Sequence, residues 1–190
     1  KILVLGSNGQ LGTKIKELSK NYKEFNFYFT DIEELDITKK SEIKNYTKKT
    51  KADYIINAAA YTDVDQAEED KETAFLINKI AVSNIAEVCN ENNIKFIHVS
   101  TDYVFDGNNY QPYKENNSPC PVSVYGKSKL EGEKYASNVK NHLIIRTSWL
   151  YSETGKNFMN TMLNLGKEKD SLKVVYDQIG SPTYAGDLAS

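Results

Sequence analysis

The sequence predicts an α/β fold built on a doubly wound parallel sheet. Three observations point to it: five short apolar runs, helical patterns between them, and a glycine-rich turn directly after the first run. The runs are almost continuously apolar, as parallel strands covered by helices on both faces must be, and they alternate with the helical patterns in βαβ order. The predicted strands are residues 2–5, 25–30, 54–57, 96–100 and 143–147.

The segments between the strands fit the same order. Residues 11, 15 and 18 carry the apolar stripe of a first helix, and residues 74–88 have the pattern of a longer one. The stretch 102–124 is rich in Asn, Gly and Pro, which predicts a long loop, and such loops in compact domains are usually functional. Residues 186–190 resemble the start of another helix, so we expect one complete domain and the beginning of a second part.

Composition and charge narrow the classes of partner. The 190 residues carry a formal net charge of −2 with lysines and acids interspersed, so no basic field exists for nucleic acid or an anionic membrane. No apolar run approaches the roughly 18–20 residues of a spanning helix, and the first residues lack a signal peptide's architecture. We therefore expect a cytoplasmic protein with small-molecule partners. Cys89 and Cys120 have no CxxC spacing and are expected to be free thiols.

The glycine-rich turn suggests a ligand. Gly6, Gly9 and Gly12 have GxxGxxG spacing and lead into the first helical pattern. Glycines let the backbone turn tightly and approach a pyrophosphate, whose charge is stabilised by the N–H groups and dipole at a helix start. This context predicts a Rossmann-type domain. We assign residues 1–150 to dinucleotide binding and 151–190 to the start of a substrate-binding part.

Asp31 ends the second predicted strand, where a ribose-binding acid belongs in such folds. The alternative is an ordinary exposed acid, because Asp is common in turns. A carboxylate here would repel a 2′-phosphate, and the glycine-rich turn contains no arginine, so the sequence leans toward NADH. Use of NADPH stays open.

Tyr125 and Lys129 form a YxxxK pair whose continuation has a helical pattern, and positions i and i+4 share one helix face. A phenol has a pKa near 10, so proton transfer near pH 7 needs a shift of about 3 units, or about 4 kcal/mol. An exposed ion pair supplies only about 0.2–1 kcal/mol. We therefore expect the Lys129 ammonium to lower the phenol pKa from a desolvated cleft, helped by the positive ring of an oxidised nicotinamide.

A hydroxyl from the fourth predicted strand is expected to work with this pair. The strand leads into Ser100 and Thr101. A hydroxyl at the carboxyl end of a strand can hydrogen-bond a substrate oxygen and polarise its carbonyl. We favour Thr101 for this role, with Ser100 as its competitor and a strand-end cap as the structural alternative.

Other candidate groups carry less weight. Tyr110 and Lys114 repeat the YxxxK spacing but enclose a proline, which disfavours helical alignment. The only histidines, His98 and His142, border or occupy apolar strands and lack further ligands at metal-binding spacing. We expect structural roles for both and predict no metal-ligating residue.

With these residues in place, the chain resembles the extended short-chain dehydrogenases and, within them, the dTDP-4-dehydrorhamnose reductases. The resemblance spans essentially all 190 residues. Its most specific segments are NAAAYTDVD (57–65), STDYVFDG (100–107), RTSWLY (146–151) and DQIGSPT (177–183).

The resemblance implies an activity and its partners. The reaction would be reduction of the C4 keto group of dTDP-4-dehydro-L-rhamnose to dTDP-L-rhamnose, by hydride transfer from NADH or NADPH with Tyr125 as proton donor. The partner would be a dTDP-sugar. Some family members dimerise through Mg²⁺ held by glutamates, so Mg²⁺ and a homodimer stay open here. Family chains continue well beyond residue 190, so we expect much of the nucleotide-sugar pocket to lie outside this sequence.

Carried over residue by residue, the resemblance also implies site residues. The catalytic set is Thr101, Tyr125 and Lys129. Residues 9–11 would hold the pyrophosphate, 36–37 would flank the adenine and 58–60 would line the cofactor groove. Together with the glycine-rich turn, the expected dinucleotide-binding residues are Gly6, Asn8, Gly9, Gln10, Leu11, Gly12, Asp31, Asp36, Ile37, Ala58, Ala59, Ala60, Val99, Tyr125 and Lys129. The expected substrate-binding residues are Thr101, Asp102, Tyr103 and Trp149.

Three other interpretations compete with the reductase. Nucleotide-sugar 4,6-dehydratases typically follow the corresponding threonine with Asp-Glu, carboxyls that handle water elimination, whereas Tyr103 follows Asp102 here and favours carbonyl reduction. An epimerase that reoxidises its own bound cofactor stays open. From another class, a non-catalytic dinucleotide-binding protein similar to the regulatory subunit of methionine adenosyltransferase is the alternative. The intact set of Thr101, Tyr125 and Lys129 favours an enzyme.

Overall fold

Five parallel strands form the central sheet of the molecule. They are β1 (Ile2–Leu5), β2 (Phe27–Thr30), β3 (Tyr54–Asn57), β4 (Lys95–Thr101) and β5 (His142–Thr147). The computed structural model describes all 190 residues. The strand order is β2-β1-β3-β4-β5, so the winding reverses at β1, and the predicted doubly wound parallel α/β fold is confirmed.

Helices cover both faces of this sheet, because neighbouring residues of a strand point to opposite sides. They are α1 (Gln10–Leu18), α2 (Lys40–Thr50), α3 (Val64–Glu69), α4 (Lys71–Phe75), α5 (Ala81–Asn92), α6 (Val124–Ala136), α7 (Phe158–Glu168) and α8 (Ala185–Ala189). On one face Leu3, Ile55 and Phe96 pack with apolar residues of α2, α5 and α6. On the other face Val4 packs with Leu11 of α1 and with α8. None of the helices has the length and apolar content needed to cross a membrane.

The strand register makes β4 and β5 extend further than the other three strands at the carboxyl edge. Leu5 is level with Thr30 and with Asn57, and Asn57 is level with His98. Strand β4 then runs on to Thr101, paired with β5 alone. The ends of β4 and β5 therefore extend beyond those of β1, β2 and β3 at the carboxyl edge, which is the edge where ligands usually bind in such sheets.

The structure differs from the predicted elements in three places. Strand β2 begins at Phe27 rather than at residue 25, because the backbone N–H of Phe25 donates to Tyr22 in a turn. The predicted helix 74–88 is interrupted by a π-helical turn, Leu76–Ile80, between α4 and α5. A second, two-stranded parallel sheet pairs β6 (Leu150–Tyr151) with β7 (Thr183–Tyr184). The predicted helix start near residue 186 is confirmed by α8, and the division of the chain at residue 150 stays a prediction.

Candidate active site

The glycine-rich turn fits closely against the segment after β3. Gly6 has φ +74°, and a Cβ on it would lie 2.6 Å from the backbone nitrogen of Ala59. A Cβ on Gly12 would collide with the carbonyl oxygen of Gly6. Only glycine fits at either position, so the turn holds a fixed shape at the start of α1. That start has no side-chain cap and no acidic residue in its first turn, which leaves N–H groups and a positive dipole end for an anion.

Asp31 braces this turn from the end of β2. One carboxylate oxygen accepts the backbone N–H of Asn8 at 2.9 Å, and the other accepts the N–H of Ile32 at 2.9 Å. Asp36 is similarly committed to its own loop, because its carboxylate accepts both the N–H and the hydroxyl of Thr38. These hydrogen bonds hold the pKa of Asp36 below its usual value.

A cleft of about 1430 Å³ opens at the carboxyl edge of the sheet. It brings together most of the predicted site residues. Its lining includes Asn8, Gly9, Gln10, Leu11, Ala58, Ala60, Val99, Thr101, Asp102, Tyr103, Tyr125, Lys129 and Trp149. The predicted residues that do not line it are Gly6, Gly12, Asp31, Asp36, Ile37 and Ala59.

Helix α6 carries Tyr125 and Lys129 into the cleft on one face. Two acceptors hold its first turn: the Ser123 hydroxyl takes the N–H of Gly126 at 3.0 Å, and the Glu68 carboxylate takes the N–H of Val124 at 2.7 Å. Tyr125 is 8% exposed and Lys129 2% exposed. These two hydrogen bonds fix the start of α6, and with it the position of the Tyr125 phenol at the carboxyl edge of the sheet.

The Lys129 ammonium donates a hydrogen bond to the carbonyl oxygen of Val99 at 2.8 Å. Burial lowers its pKa to about 8, and the charge of Glu133 partly opposes that shift. Glu133 is itself held by Arg146, which forms two hydrogen bonds to its carboxylate at 2.9 and 2.7 Å. This ion pair was not among the predicted site residues, because an i+4 carboxylate on a helix ordinarily indicates only a surface pair.

Burial is the main influence on the pKa of the Tyr125 phenol in this chain. Burial raises the pKa to about 12, and a hydrogen bond with Thr101 opposes the rise. Lys129 is not among the causes of this shift, and its lowering of the phenol pKa, which was expected with an oxidised nicotinamide bound, stays a prediction. A phenol of this kind stays protonated across the physiological pH range.

Thr101 and Ser100 both reach the cleft, with different partners. The Thr101 hydroxyl donates to the Asp102 carboxylate at 3.2 Å and accepts the N–H of Tyr103 at 3.2 Å, so it also caps the turn that follows β4. The Ser100 hydroxyl is buried and has no protein partner. Both hydroxyls therefore remain candidates for the substrate oxygen, as the sequence left them.

Asn78 lies in the π-helical turn and has no counterpart among the predicted residues. Its fully buried side chain exchanges two hydrogen bonds with the backbone of Tyr61, at 2.9 and 3.0 Å, and donates to the Ser128 hydroxyl at 3.0 Å. It thereby joins the segment after β3 to α6. An asparagine inside an apolar helical pattern is the only signal that the sequence offered for it.

The remaining candidates lie apart from the cleft. Tyr110 is 84% exposed in the loop before α6, where no helix aligns it with Lys114. His98 is fully buried beside Asn57, 3.2 Å from its amide, and burial lowers its pKa well below the usual value. No group of three or more His, Cys, Asp or Glu residues is placed to hold a metal ion, so Mg²⁺ has no support here.

Trp149 forms the far wall of the cleft. It has φ +47°, unusual for a bulky residue, and its indole lies directly over Gly180, where a Cβ would collide with it. The ring is 6.5 Å from that of Phe158. The cleft is therefore bounded by the sheet edge on one side and by aromatic residues of the 149–180 segment on the other.

The fold and this cleft define a Rossmann-type domain of the short-chain dehydrogenase class. The chain belongs to the family of the RmlD substrate binding domain, whose family model matches residues 1–190.

Relatives and solved structures agree with this assignment. The chain is 45% identical to a dTDP-4-dehydrorhamnose reductase of Aggregatibacter actinomycetemcomitans, over 100% of this chain and 65% of that protein. It superimposes with a TM-score of 0.95 on the dTDP-4-dehydrorhamnose reductase of Bacillus anthracis solved in complex with NADP, at 42% identity, covering 99% of this chain and 67% of that one. The structure of a dTDP-4-dehydrorhamnose reductase of Clostridium acetobutylicum also superimposes with a TM-score of 0.95, at 43% identity. The match covers 99% of this chain and 67% of that one. The chain thus spans about two thirds of the length of these relatives.

Proposed function

We propose that this chain is the dinucleotide-binding part of a dTDP-4-dehydrorhamnose reductase. The reaction is reduction of the C4 keto group of dTDP-4-dehydro-L-rhamnose to dTDP-L-rhamnose with NADH or NADPH. The observation that carries the proposal is the buried pair of Tyr125 and Lys129 in the same cleft as the glycine-rich turn. The names of the relatives supply the substrate.

The turn at the start of α1 fits a dinucleotide pyrophosphate. Gly9, Gln10 and Leu11 line the cleft at an uncapped helix start, and Ala58 and Ala60 offer small side chains opposite them. When bound, a reduced nicotinamide dinucleotide supplies the hydride.

The chain's own residues manage the proton and the substrate oxygen. Tyr125, protonated because its pKa is about 12, donates its phenolic proton to the oxygen that was the C4 carbonyl. Thr101 or Ser100 hydrogen-bonds that oxygen and polarises the carbonyl. Lys129 has N–H groups beyond the one given to Val99, and these hold ribose hydroxyls and stabilise the phenolate left after proton donation. Asp102, Tyr103 and Trp149 line the same cleft, and we assign them to contact with the sugar.

Asp31 bears on the choice between the two dinucleotides. Both oxygens of its carboxylate already accept backbone N–H groups, so its charge is partly compensated and it can tolerate a nearby 2′-phosphate better than a free carboxylate. The Bacillus anthracis relative was solved with NADP. We propose that this chain accepts both dinucleotides.

The test is absorbance at the reduced-nicotinamide band, with the protein at its full natural length and dTDP-4-dehydrorhamnose generated in place. NADH and NADPH are run in parallel. Oxidation that requires the sugar supports the reductase and identifies the cofactor. Dinucleotide binding without any net oxidation in the presence of the sugar would contradict the proposal and favour the epimerase or the regulatory protein.

A further inference from the structure

Gln10 occupies two environments at once. Its backbone belongs to the first turn of α1 and lines the cleft, while its side chain points to the turn between β6 and α7. The side-chain oxygen accepts a hydrogen bond from the Asn157 amide at 2.8 Å. It also lies 3.2 Å from the Ser152 hydroxyl, whose single proton is directed at the nearer carbonyl oxygen of Thr154 at 2.7 Å. The residue therefore touches both the glycine-rich turn and a segment more than 140 positions away in the chain.

The hydrogen-bond network fixes the orientation of the side-chain amides of Asn157 and Gln10, that is, where each oxygen and each nitrogen lies. The Asn157 oxygen must accept, because the backbone N–H of Asn160 points at it from 2.8 Å. The Asn157 amide nitrogen then donates both hydrogens, one to the carbonyl of Ser152 at 2.9 Å and one to Gln10. Only an oxygen of Gln10 can accept there, so the orientation of Gln10 is determined.

Burial and close packing make this contact specific. Ser152 and Asn157 are both buried, at 1% and 9% exposure. Gly155 adopts φ +82° directly beside the Gln10 side chain, where an added Cβ would lie 3.0 Å from its Cγ. A hydrogen bond from a buried amide is costly to break, because its donor would be left unpaired.

The turn held by Gln10 leads into residues of the cleft. Asn157 caps α7, and the first turns of this helix contribute Phe158, Met159 and Met162 to the cleft wall opposite the sheet. A displacement of the turn would therefore change the wall on which the second ligand rests.

We propose that Gln10 is a positioning residue that couples occupancy of the dinucleotide site to the position of α7. A dinucleotide that fixes the glycine-rich turn also fixes the Gln10 side chain, and through Ser152 and Asn157 it orders the wall that receives the sugar nucleotide. The coupling rests on the proposed function in one respect, namely that the turn binds a dinucleotide. It adds that the sugar nucleotide binds more tightly after the dinucleotide than before it.

The experiment is hydrogen exchange of the chain with and without saturating NADPH, followed by mass spectrometry of peptides covering residues 6–12 and 152–165. Coupling free energies between sites correspond typically to about 5- to 150-fold. We expect NADPH to slow exchange in both peptides, by about fivefold or more in the second. Asn157→Ser keeps an oxygen that can cap α7 and is too short to reach Gln10. This variant should keep the slowing in 6–12 and lose it in 152–165.

Two further variants keep the test decisive. Gln10→Met removes the acceptor from the other side of the contact at similar volume and leaves the cap of α7 unchanged. The same loss in 152–165 is expected, and it would show that the effect of Asn157→Ser does not come from a disturbed α7. Glu153→Gln is the matched control, because it removes an exposed ion pair between the same turn and Lys14 of α1 without touching Gln10. It should keep the slowing in both peptides.

The remaining outcomes would overturn the coupling, the proposed function or the role of Gln10. Slowing in 6–12 without any in 152–165 in the unmodified chain overturns the coupling alone. No slowing in either peptide with NADPH, or with NADH in a parallel sample, means that neither dinucleotide binds, which overturns the proposed function and the coupling together. Loss of the effect in Glu153→Gln means that any loosening of the turn suffices, which overturns the role of Gln10.

Discussion

Burial shifts the pKa values of Tyr125 and Lys129 in opposite directions. It raises that of the phenol to about 12 and lowers that of the ammonium to about 8, because a low-dielectric site disfavours whichever form is charged. At neutral pH the phenol therefore keeps its proton, whereas the ammonium is within about one pH unit of losing one. The proposed carbonyl reduction needs the protonated phenol, since the proton must be present on the tyrosine when the alkoxide forms.

Tyr125→Phe tests the proton donor. Removing the phenolic proton should lower kcat by about 10²–10⁴-fold, the usual contribution of a general acid, with the dinucleotide Kd within about twofold of its original value. Steady-state kinetics and fluorescence titration measure the two. Tyr110→Phe, at the exposed second YxxxK pair, is the control and should change neither. Full turnover in Tyr125→Phe would mean that another group donates the proton.

The pKa of Lys129 leads to a prediction for the pH dependence of kcat/KM. Its pKa is lowered from 10.5 to about 8, so the ammonium is present below that pH and is lost as the pH rises through it. If the charge supports catalysis, kcat/KM should be constant below about pH 8 and fall about tenfold per unit above it. The profile is measured by initial rates between pH 6 and 10. A flat profile would show that the charge on Lys129 does not matter to the reaction.

At the scale of elements, α6 depends on close contact with the π-helical turn. Gly132 lies against the backbone of Asn78, where a Cβ would collide with the carbonyl oxygen. The Asn78 side chain, in the π-helical turn, joins α6 to the segment after β3 by hydrogen bonds to Ser128 and Tyr61. The position of Tyr125 thus depends on the packing of α6 against the π-helical turn, which the sequence of α6 alone does not predict.

Gly132→Ala should therefore lower the free energy of unfolding by about 1–3 kcal/mol, through overpacking of a rigid backbone. Gly166→Ala in α7 is the matched control, because nothing lies within 4 Å of its added Cβ. It should raise stability by about 0.4–1 kcal/mol, since alanine restricts the unfolded chain. Urea unfolding of the two variants beside the parent chain measures both. Equal effects of the two would contradict the close contact at Gly132.

At the scale of the whole molecule, the larger part of the core lies between one face of the sheet and helices α2, α5 and α6. Cys89 is fully buried in this core, and burial raises the pKa of its thiol to about 12. Cys120 is exposed in the loop before α6. The two thiols thus report on the surface and on the integrity of the core separately.

A thiol reagent such as Ellman's reagent should react with one equivalent at once and with the second only as the core opens. The reactive species is the thiolate, which Cys89 cannot form while it is buried. Cys120→Ser, a surface change, should remove the fast phase alone. If two equivalents reacted rapidly in the unmodified chain, the face covered by α5 would open without global unfolding.

Part of the site was predictable because its residues form motifs with short, recognisable spacing in the sequence. The glycine-rich turn, the pair Tyr125 and Lys129, and the hydroxyls after β4 each depend on residues close together in sequence, and the structure brings them into one cleft. Asp31 was placed at the right strand end, yet its role as a brace for Asn8 could not be read from the sequence, because it depends on the distance between two loops.

The sequence by itself determined the parallel sheet, the order of its elements and the groups available for chemistry, since apolar periodicity and short-range turn geometry are local properties. Only the tertiary structure decided how those groups are charged and held. The pKa values of Tyr125 and Lys129 follow from burial, the height of α6 from Asn78, and the wall of the cleft from the contact between Gln10 and Asn157. Each depends on atoms that are distant in the chain and meet only when the chain folds, so no local pattern records them.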